Sequence, residues 1–440
     1  MTVSKAQHYV ARPDLLKKLE EFRNTPAIKV LIGVRRCGKS TVLQMFSDSL
    51  RAKGVPESNL FYRRFDSFDT PIDYDAAALY DDLKKAMDNA SGDYPMTVML
   101  DEIQDIDGWE KIVRRLHTRD NTDVYITGSN ANLLSSDLAT YLTGRYVEIP
   151  VYPLSFKEYC AFSKADEPNL KTASTSLDSM DSTDSNDSVA RSTTTERLFN
   201  EFLRFGGMPG LFALKTRTTT TVGTELQSIY DSIVFKDVAQ HNNIRNLGVL
   251  EKVSRFLFAT SGSLFSTRKV VNTLKSAGES ISTTSLNSYV EGLEKAFLVY
   301  RAEQTDIQGK AMLRPLSKFY PVDVGFRNLT ADFSSRDLGA RLECVVYMEL
   351  RRRGYSVSIG TGDNTEIDFI ATKNDMAASK KMYIQVTASM LEETTSQREL
   401  APLLKLTDAF PRIVITLDSY SAGTTPEGIT IVNALDWLLR

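Results

Sequence analysis

The chain has 440 residues, 42% of them hydrophobic and 25% charged, with a formal net charge of −3. That length exceeds what one hydrophobic core ordinarily serves and predicts two to three domains, while the near-neutral charge excludes a protein that binds polyanions over its whole surface. There is no apolar run of about eighteen residues, no signal-peptide core in MTVSKAQHYVARPDLL, and no CxxC or Cys/His pattern among Cys37, Cys160 and Cys344; a cytoplasmic protein is expected, without membrane partner, disulfide framework or sulfur-bound zinc.

From residue 13 to about 160, β-rich runs alternate with amphipathic helical stretches, the rhythm of an α/β fold with a parallel sheet. IKVLI (28–32), LFYRRF (60–65), MTVML (96–100) and DVYIT (123–127) read as strands, and KSTVLQMFSDSL, YDAAALYDDLKKAM and WEKIVRRLH as helices. Residues 163–195 are rich in Ser, Thr and Asp, lack aromatic residues and read as a disordered insertion. Residues 196–245 read as a helical connector, with helical spacing over 225–240 and again over 250–262, where Gly262 is a stop signal. Residues 338–440 return to mixed α/β: helix LECVVYMELRRRG, hairpin YSVSIGTGDNTEIDFIAT, and strands MYIQVTAS and RIVIT.

GVRRCGKST (33–41) fits a phosphate-binding loop between a strand and a helix. In that reading Gly33, Arg35, Arg36, Cys37 and Gly38 wrap the phosphates of ATP, and Lys39 reaches the β and γ phosphates. Ser40 ligates Mg2+ and Thr41 lies near the α phosphate. TVMLDEIQ supplies two acids after an apolar strand: Asp101 to hold Mg2+ through water and Glu102 to polarise the attacking water. The competing reading of this pair is a helix N-cap. Thr127, Ser129 and Asn130, just past the next strand, read either as γ-phosphate sensors or as turn residues. Arg145 reads as an arginine finger, with a surface ion pair as the alternative.

These motifs, together with ITGSN, LTGRYVEIPVYPLSFKEY, GGMPG (206–210) and RLECVVYMELRRRGYSV…EIDFIA…YIQVTAS, resemble the prokaryotic AAA-type ATPases that carry a C-terminal DUF4143 domain. The resemblance spans nearly the whole chain outside 163–195. It implies an AAA+ P-loop core at 1–160, a winged-helix DNA-binding domain at 246–330, and a nuclease-like domain of the PD-(D/E)xK type at 338–440. It also implies a ring, hexamer or heptamer. Related loops carry a basic pair where Arg35 and Arg36 stand, so at least one is read as serving a nearby acid or an adjacent subunit.

Within 246–330, two helices (about 266–276 and 283 or 284–296) are followed by FLVY and KFYPVD as wing strands. Ser285, Asn287 and Ser288 are then the exposed face of a recognition helix, and Arg268, Lys269, Lys275 and Arg314 phosphate contacts; a protein-interaction module is the alternative. In the C-terminal domain Glu343 and Asp368, with Glu366, fit the acids of a nuclease. Gln385 stands where the next acid belongs and Thr387 where the lysine belongs, so that site is read as degenerate. The expected function is a Mg2+-dependent ATPase that assembles as a ring and binds or remodels duplex or branched DNA, such as four-way (Holliday) junctions. The alternatives are an ATP-dependent regulatory or defence switch acting through protein partners, and an ATP-fuelled nuclease.

Overall fold

IKVLI is buried at all five positions and forms strand β1 (Ile28–Ile32), the fourth strand of a five-stranded sheet. A strand apolar on both faces needs cover on both, which parallel strands joined by crossover helices provide. The computed structural model describes residues 10–128, 144–170, 186–240, 242, 244–307, 316–330, 337–362, 365–374 and 379–440. Its first part runs α1 (Pro13–Glu21), β1, α2 (Lys39–Ala52), β2 (Leu60–Arg64), α3 (Ala76–Asp88), β3 (Met96–Asp101), α4 (Trp109–His117), β4 (Thr122–Gly128) and β5 (Tyr146–Pro150). The order β2-β3-β4-β1-β5 is parallel throughout.

Helix α4 shows why the layers form: Trp109, Ile112, Val113 and Leu116 recur at helical spacing and are all buried. With Leu79 and Leu83 of α3 they cover Val98, Leu100 and Ile126 of the sheet. Beneath β1, Lys29 and Asp123 form a fully buried ion pair, and Tyr125 also donates to Asp123.

The chain divides into two compact units, residues up to 152 with 295–297, and residues 153–294 with 298–440. The second begins with α5 (Phe156–Leu170), α6 (Asn186–Phe205), α7 (Thr219–Ser232) and α8 (Leu247–Ala259). Next come β6 (Leu264–Phe265), α9 (Thr267–Ser276), α10 (Thr283–Lys295), β7 (Val299–Asp306), β8 (Ser317–Pro321) and α11 (Val324–Asn328). It closes with α12 (Leu338–Arg352), β9 (Ser356–Gly362), β10 (Thr365–Asn374), β11 (Ser379–Thr387), α13 (Glu393–Leu404), β12 (Arg412–Thr416), β13 (Gly423–Thr424), β14 (Thr430–Asn433) and α14 (Ala434–Leu439).

Three features depart from the sequence reading. Helices α5 and α6 run through both ends of the segment read as disordered, and only 171–185 lies outside the described residues. Phe156, Tyr159 and Phe162 of α5 pack against Phe199 and Phe202 of α6 and against Phe212, and helices so anchored propagate outward at little cost per residue. The helix expected through residue 240 turns into a π-helix over Ile233–Gln240. Finally, β7 of segment 246–330 pairs in parallel with β9 of segment 338–440, so both contribute to one sheet, β13-β14-β12-β11-β10-β9-β7-β8-β6.

The GGMPG turn is explained by Asp323, whose buried carboxylate accepts from Gly207 N (2.7 Å) and Gly325 N (2.8 Å). A Cβ on Gly206 would stand 1.7 Å from that carboxylate, and one on Gly207 2.4 Å from the Leu154 carbonyl.

Candidate functional site

The loop after β1 is shaped by what it must pass. At Gly33 (φ 153°) a Cβ would lie 2.1 Å from the Val151 carbonyl oxygen, so a side chain is excluded. Left-handed residues at Arg36 (φ 64°) and Gly38 (φ 99°) bring the loop onto the N-terminus of α2. Clustered N–H groups at a helix N-terminus make an anion-binding concavity. Lys39, 3% exposed, donates to the carbonyls of Gly33 (2.9 Å) and Val34 (3.2 Å). The Cys37 side chain points elsewhere: its thiol, pushed up by burial, donates to Val151 O at 3.0 Å. It braces the loop against the residue after β5.

Arg12 is a part that sequence reasoning missed. Buried ahead of α1, it donates to Cys37 O (3.2 Å) and Tyr152 O (3.0 Å), tying the loop to the exit of β5. No spacing marks it, because its two acceptors are 25 and 140 residues away.

At the end of β3, Asp101 is fully buried and accepts three hydroxyls: Thr127 (2.5 Å), Ser40 (3.1 Å) and Tyr62 (3.1 Å). Burial raises the carboxyl above its ordinary range, the hydroxyls of Thr127 and Ser40 oppose that rise, and Glu102 adds to it. Thr127 also accepts from Glu102 N at 2.9 Å and so bonds both acids. Glu102 adopts a left-handed backbone (φ 56°), rare for a side chain of its size, and Gln104 Nε2 donates to its carboxylate at 2.6 Å. Tyr62 and Gln104 were not singled out from sequence; a tyrosine one strand away and a glutamine two residues on have no recognisable pattern. A cleft of about 290 Å³ opens beside Ser40 and Thr41, bounded across β2 by Tyr62 and Arg64.

Of the basic pair, Arg36 is exposed and Arg35 half-buried. The Asp66 carboxyl is lowered first by its bond to Arg64, with a smaller contribution from Arg35, so Arg35 has an acid within electrostatic reach. Ser129 and Asn130 lie outside the described residues. Arg145 is exposed, and its carbonyl accepts from Ile28 N, which puts it at the start of β5. The loop lies past the other end of β1, roughly 13 Å further along at the usual rise per strand residue. Arg145 is thus not gathered with Lys39, Ser40 and Asp101.

In the second unit Arg268, Lys269 and Lys275 of α9 and Asn287 and Ser288 of α10 are exposed, with Asn287 Oδ1 accepting from Thr267. Ser285 differs from expectation. It is half-buried, its N–H donates to Ser282 Oγ, and the two hydroxyls bond at 2.9 Å, so it is occupied in capping α10. Arg314 lies outside the described residues.

The C-terminal acids meet a lysine from an unexpected strand. Lys318 of β8, 3% exposed, points at Glu366 (2.7 Å), Glu343 (3.4 Å) and Asp368 (3.9 Å), and Tyr320 donates to Glu343 at 2.7 Å. Burial alone would lower the Lys318 ammonium; Glu343, Asp368 and Glu366 outweigh it and hold it above its ordinary range. Burial, and then the charge of Glu343, push the Asp368 carboxyl well up, and burial raises Glu343 against the pull of Lys318. Three carboxylates around one ammonium leave the cluster short of positive charge. Gln385 accepts from Asp368 N and donates to Glu399 at 2.9 Å, while Thr387 bonds Ser389 O. Thr387 thus carries no charge to this cluster, and the ammonium that faces its acids comes from Lys318 of β8. Among the described residues no group of three or more His, Cys, Asp or Glu side chains is arranged to hold a metal ion, and no helix is long and apolar enough to cross a membrane.

Comparison with known proteins bears first on the P-loop unit. The family model of an AAA domain matches residues 25–160, and that of a domain of unknown function, DUF8612, matches 196–337, in place of the DUF4143 domain expected from the motifs. An uncharacterized protein of Haemophilus influenzae is 36% identical over 431 residues, covering 98% of this chain and 99% of its own length. An uncharacterized protein of Methanocaldococcus jannaschii is 29% identical over 379 residues, 85% of this chain and 77% of its own. Among solved structures, the Walker-type ATPase of Pyrococcus abyssi aligns over 73% of this chain and 96% of its own at 15% identity and a TM-score of 0.46. AMPPCP-bound DnaA of Aquifex aeolicus aligns over 64% and 86% at 13% identity and a TM-score of 0.30. Structural likeness at that level carries no inference about ligands.

Proposed function

Since the chain belongs to the family of the Haemophilus influenzae protein and carries an AAA domain, we propose that it is a Mg2+-dependent ATPase that assembles as a ring and binds or remodels DNA. The observation that carries the ATPase reading is the bonded set Ser40–Asp101–Thr127 beside a loop whose lysine donates to the neutral carbonyls of Gly33 and Val34. The residues present fit ATP and Mg2+. A buried acid with a raised carboxyl pKa, next to a serine hydroxyl, gains from a cation, and Lys39 gains by exchanging carbonyls for phosphate oxygens. Bound Mg2+ would supply charge neutralisation at the phosphates. Asp101 and Ser40 would hold it, Thr127 keeps Asp101 oriented, and Glu102 would take the proton of the attacking water once its carboxylate leaves Gln104.

Arg145 lies at the far end of the sheet from its own loop, which suits it to a neighbour's nucleotide rather than its own. It accords with the ring, hexamer or heptamer, that the family resemblance implies. Mixing Arg145→Ala with Lys39→Ala subunits tests it: regained ATP turnover above the sum of the two supports action between subunits. Turnover that stays at that sum speaks against the finger and the ring together.

The DNA reading is supported by the order α8-β6-α9-α10-β7-β8, which is compatible with a winged helix, and by exposed Arg268, Lys269 and Lys275. Binding to duplex or four-way DNA that weakens steeply with salt separates this reading from a switch acting through protein partners. An ATP-fuelled nuclease is disfavoured because the acids that would have to hold its metal are ion-paired with Lys318.

A further inference from the structure

Two surfaces of the P-loop unit present apolar side chains flanked by charge, and the first of them adjoins the nucleotide cleft, which Ser67, Asp69 and Thr70 help to line. Between β2 and α3 the chain reads SFDTPID (67–73), where Phe68 and Ile72 are fully exposed and each is followed directly by an aspartate, Asp69 and Asp73. From residue 65 to residue 83 there is no lysine or arginine. Two large apolar side chains left in water forgo their burial, and such exposure suits a surface that has a partner. The second surface is a groove of about 410 Å³ between α3 and α4, floored by Leu83, Met87 and Ile112 and edged by Lys84, Arg115 and Arg119. Among the described residues Asp88 is the sole acid lining it. Arg115 lies over the Tyr80 ring with its guanidinium carbon 5.5 Å from the centroid, which holds one basic edge in place.

The two surfaces match in chemistry: apolar side chains flanked by acids, and an apolar floor flanked by bases. They lie at opposite ends of the sheet. The Phe68 segment follows the C-terminal end of β2, whereas the groove is built from the C-terminal half of α3 and from residues 112–119, just before β4 begins at Thr122. Helix α3 has 13 residues and by itself separates the ends by about 20 Å.

We propose that the groove receives the Phe68/Ile72 segment of a second copy of this chain, in a head-to-tail contact. Such a contact is heterologous, since each copy offers a tongue at one end and a groove at the other, and it can propagate or close into a ring. It extends the ring reading above by naming the surfaces, and needs no nucleotide turnover.

Sedimentation velocity on the full chain, with and without ATP and at low and high salt, tests it. Two variants are compared with the wild type: Phe68→Ser with Ile72→Ser, and Arg115→Glu with Arg119→Glu. Self-association of each is expected to weaken at least tenfold, and wild-type association to weaken with salt as the charged rims are screened. Mixing the variants gives the sharper result. One retains an intact groove and the other an intact tongue, so a one-to-one pair should form and grow no further. Wild-type protein that stays monomeric throughout, variants that associate like the wild type, or a mixture that forms no pair would each overturn the contact. Phe68→Ser alone alters a single exposed position and serves if the double variants fold poorly. ATP binding by the tongue variant, measured separately, keeps failure of this contact distinct from failure of the ATPase reading.

Discussion

Among the buried lysines, Lys39 of the P-loop unit and Lys318 of the second unit separate what this molecule can release from what it must keep. Lys39 donates to the neutral carbonyls of Gly33 and Val34, while Lys318 faces the carboxylates of Glu343, Glu366 and Asp368. Both are buried to a similar degree. A carbonyl is a weak competitor for an ammonium, so Lys39 can be won by a phosphate with little loss of fold. Carboxylates in a buried pocket hold their cation far more strongly, and Lys318 neutralises charge that would otherwise be stranded. The same residue type at the same burial therefore serves exchange in one unit and cohesion in the other.

The contrast is broken most directly at Lys318. Lys318→Met should cost about 3–5 kcal/mol of folding stability at neutral pH, because removing one partner leaves buried acids uncompensated. The sign of its pH dependence follows from the raised carboxyls of Glu343 and Asp368. Groups whose folded pKa lies above the unfolded value bind more protons when folded, so the variant should regain stability as pH falls from neutral through those raised values toward about 4. Denaturant melts at several pH values check this, and a variant as stable as the wild type at pH 7 would dissolve the contrast.

The smaller effect is expected at Lys39. Lys39→Met should weaken ATP binding about tenfold to a hundredfold, the worth of roughly one charge-assisted contact of 1.5–3 kcal/mol, while melting changes little. Calorimetric titration with an ATP analogue reads the first and a thermal melt the second. A large loss of folding stability would place Lys39 in the same class as Lys318.

These lysines also mark how far the sequence was legible. The strand, loop and helix around Lys39 are contiguous, so a local spacing announced them, and the strands carrying Asp101 and Thr127 were readable from apolar runs. Arg12, Tyr62 and Gln104 were not, because the atoms they touch are set by the packing of the sheet and by loop closure rather than by any motif. Lys318 makes the same point in the other direction. The motif places Thr387 where a lysine would stand and says nothing of Lys318, whose place among the acids follows from the pairing of β7 with both β8 and β9, which joins two segments in one sheet. At 163–170 and 186–195 helix runs where composition pointed to disorder, anchored by aromatic residues outside the segment.

The central claim is that the Ser40–Asp101–Glu102–Thr127 site hydrolyses ATP. Steady-state ATP turnover with Mg2+, compared between the wild type and Glu102→Gln, tests it most directly. The amide keeps the shape of the side chain but cannot take a proton from water, so turnover should fall about a hundredfold or more with ATP binding retained. Equal turnover by the two proteins, or no Mg2+-dependent hydrolysis by the wild type, would contradict it.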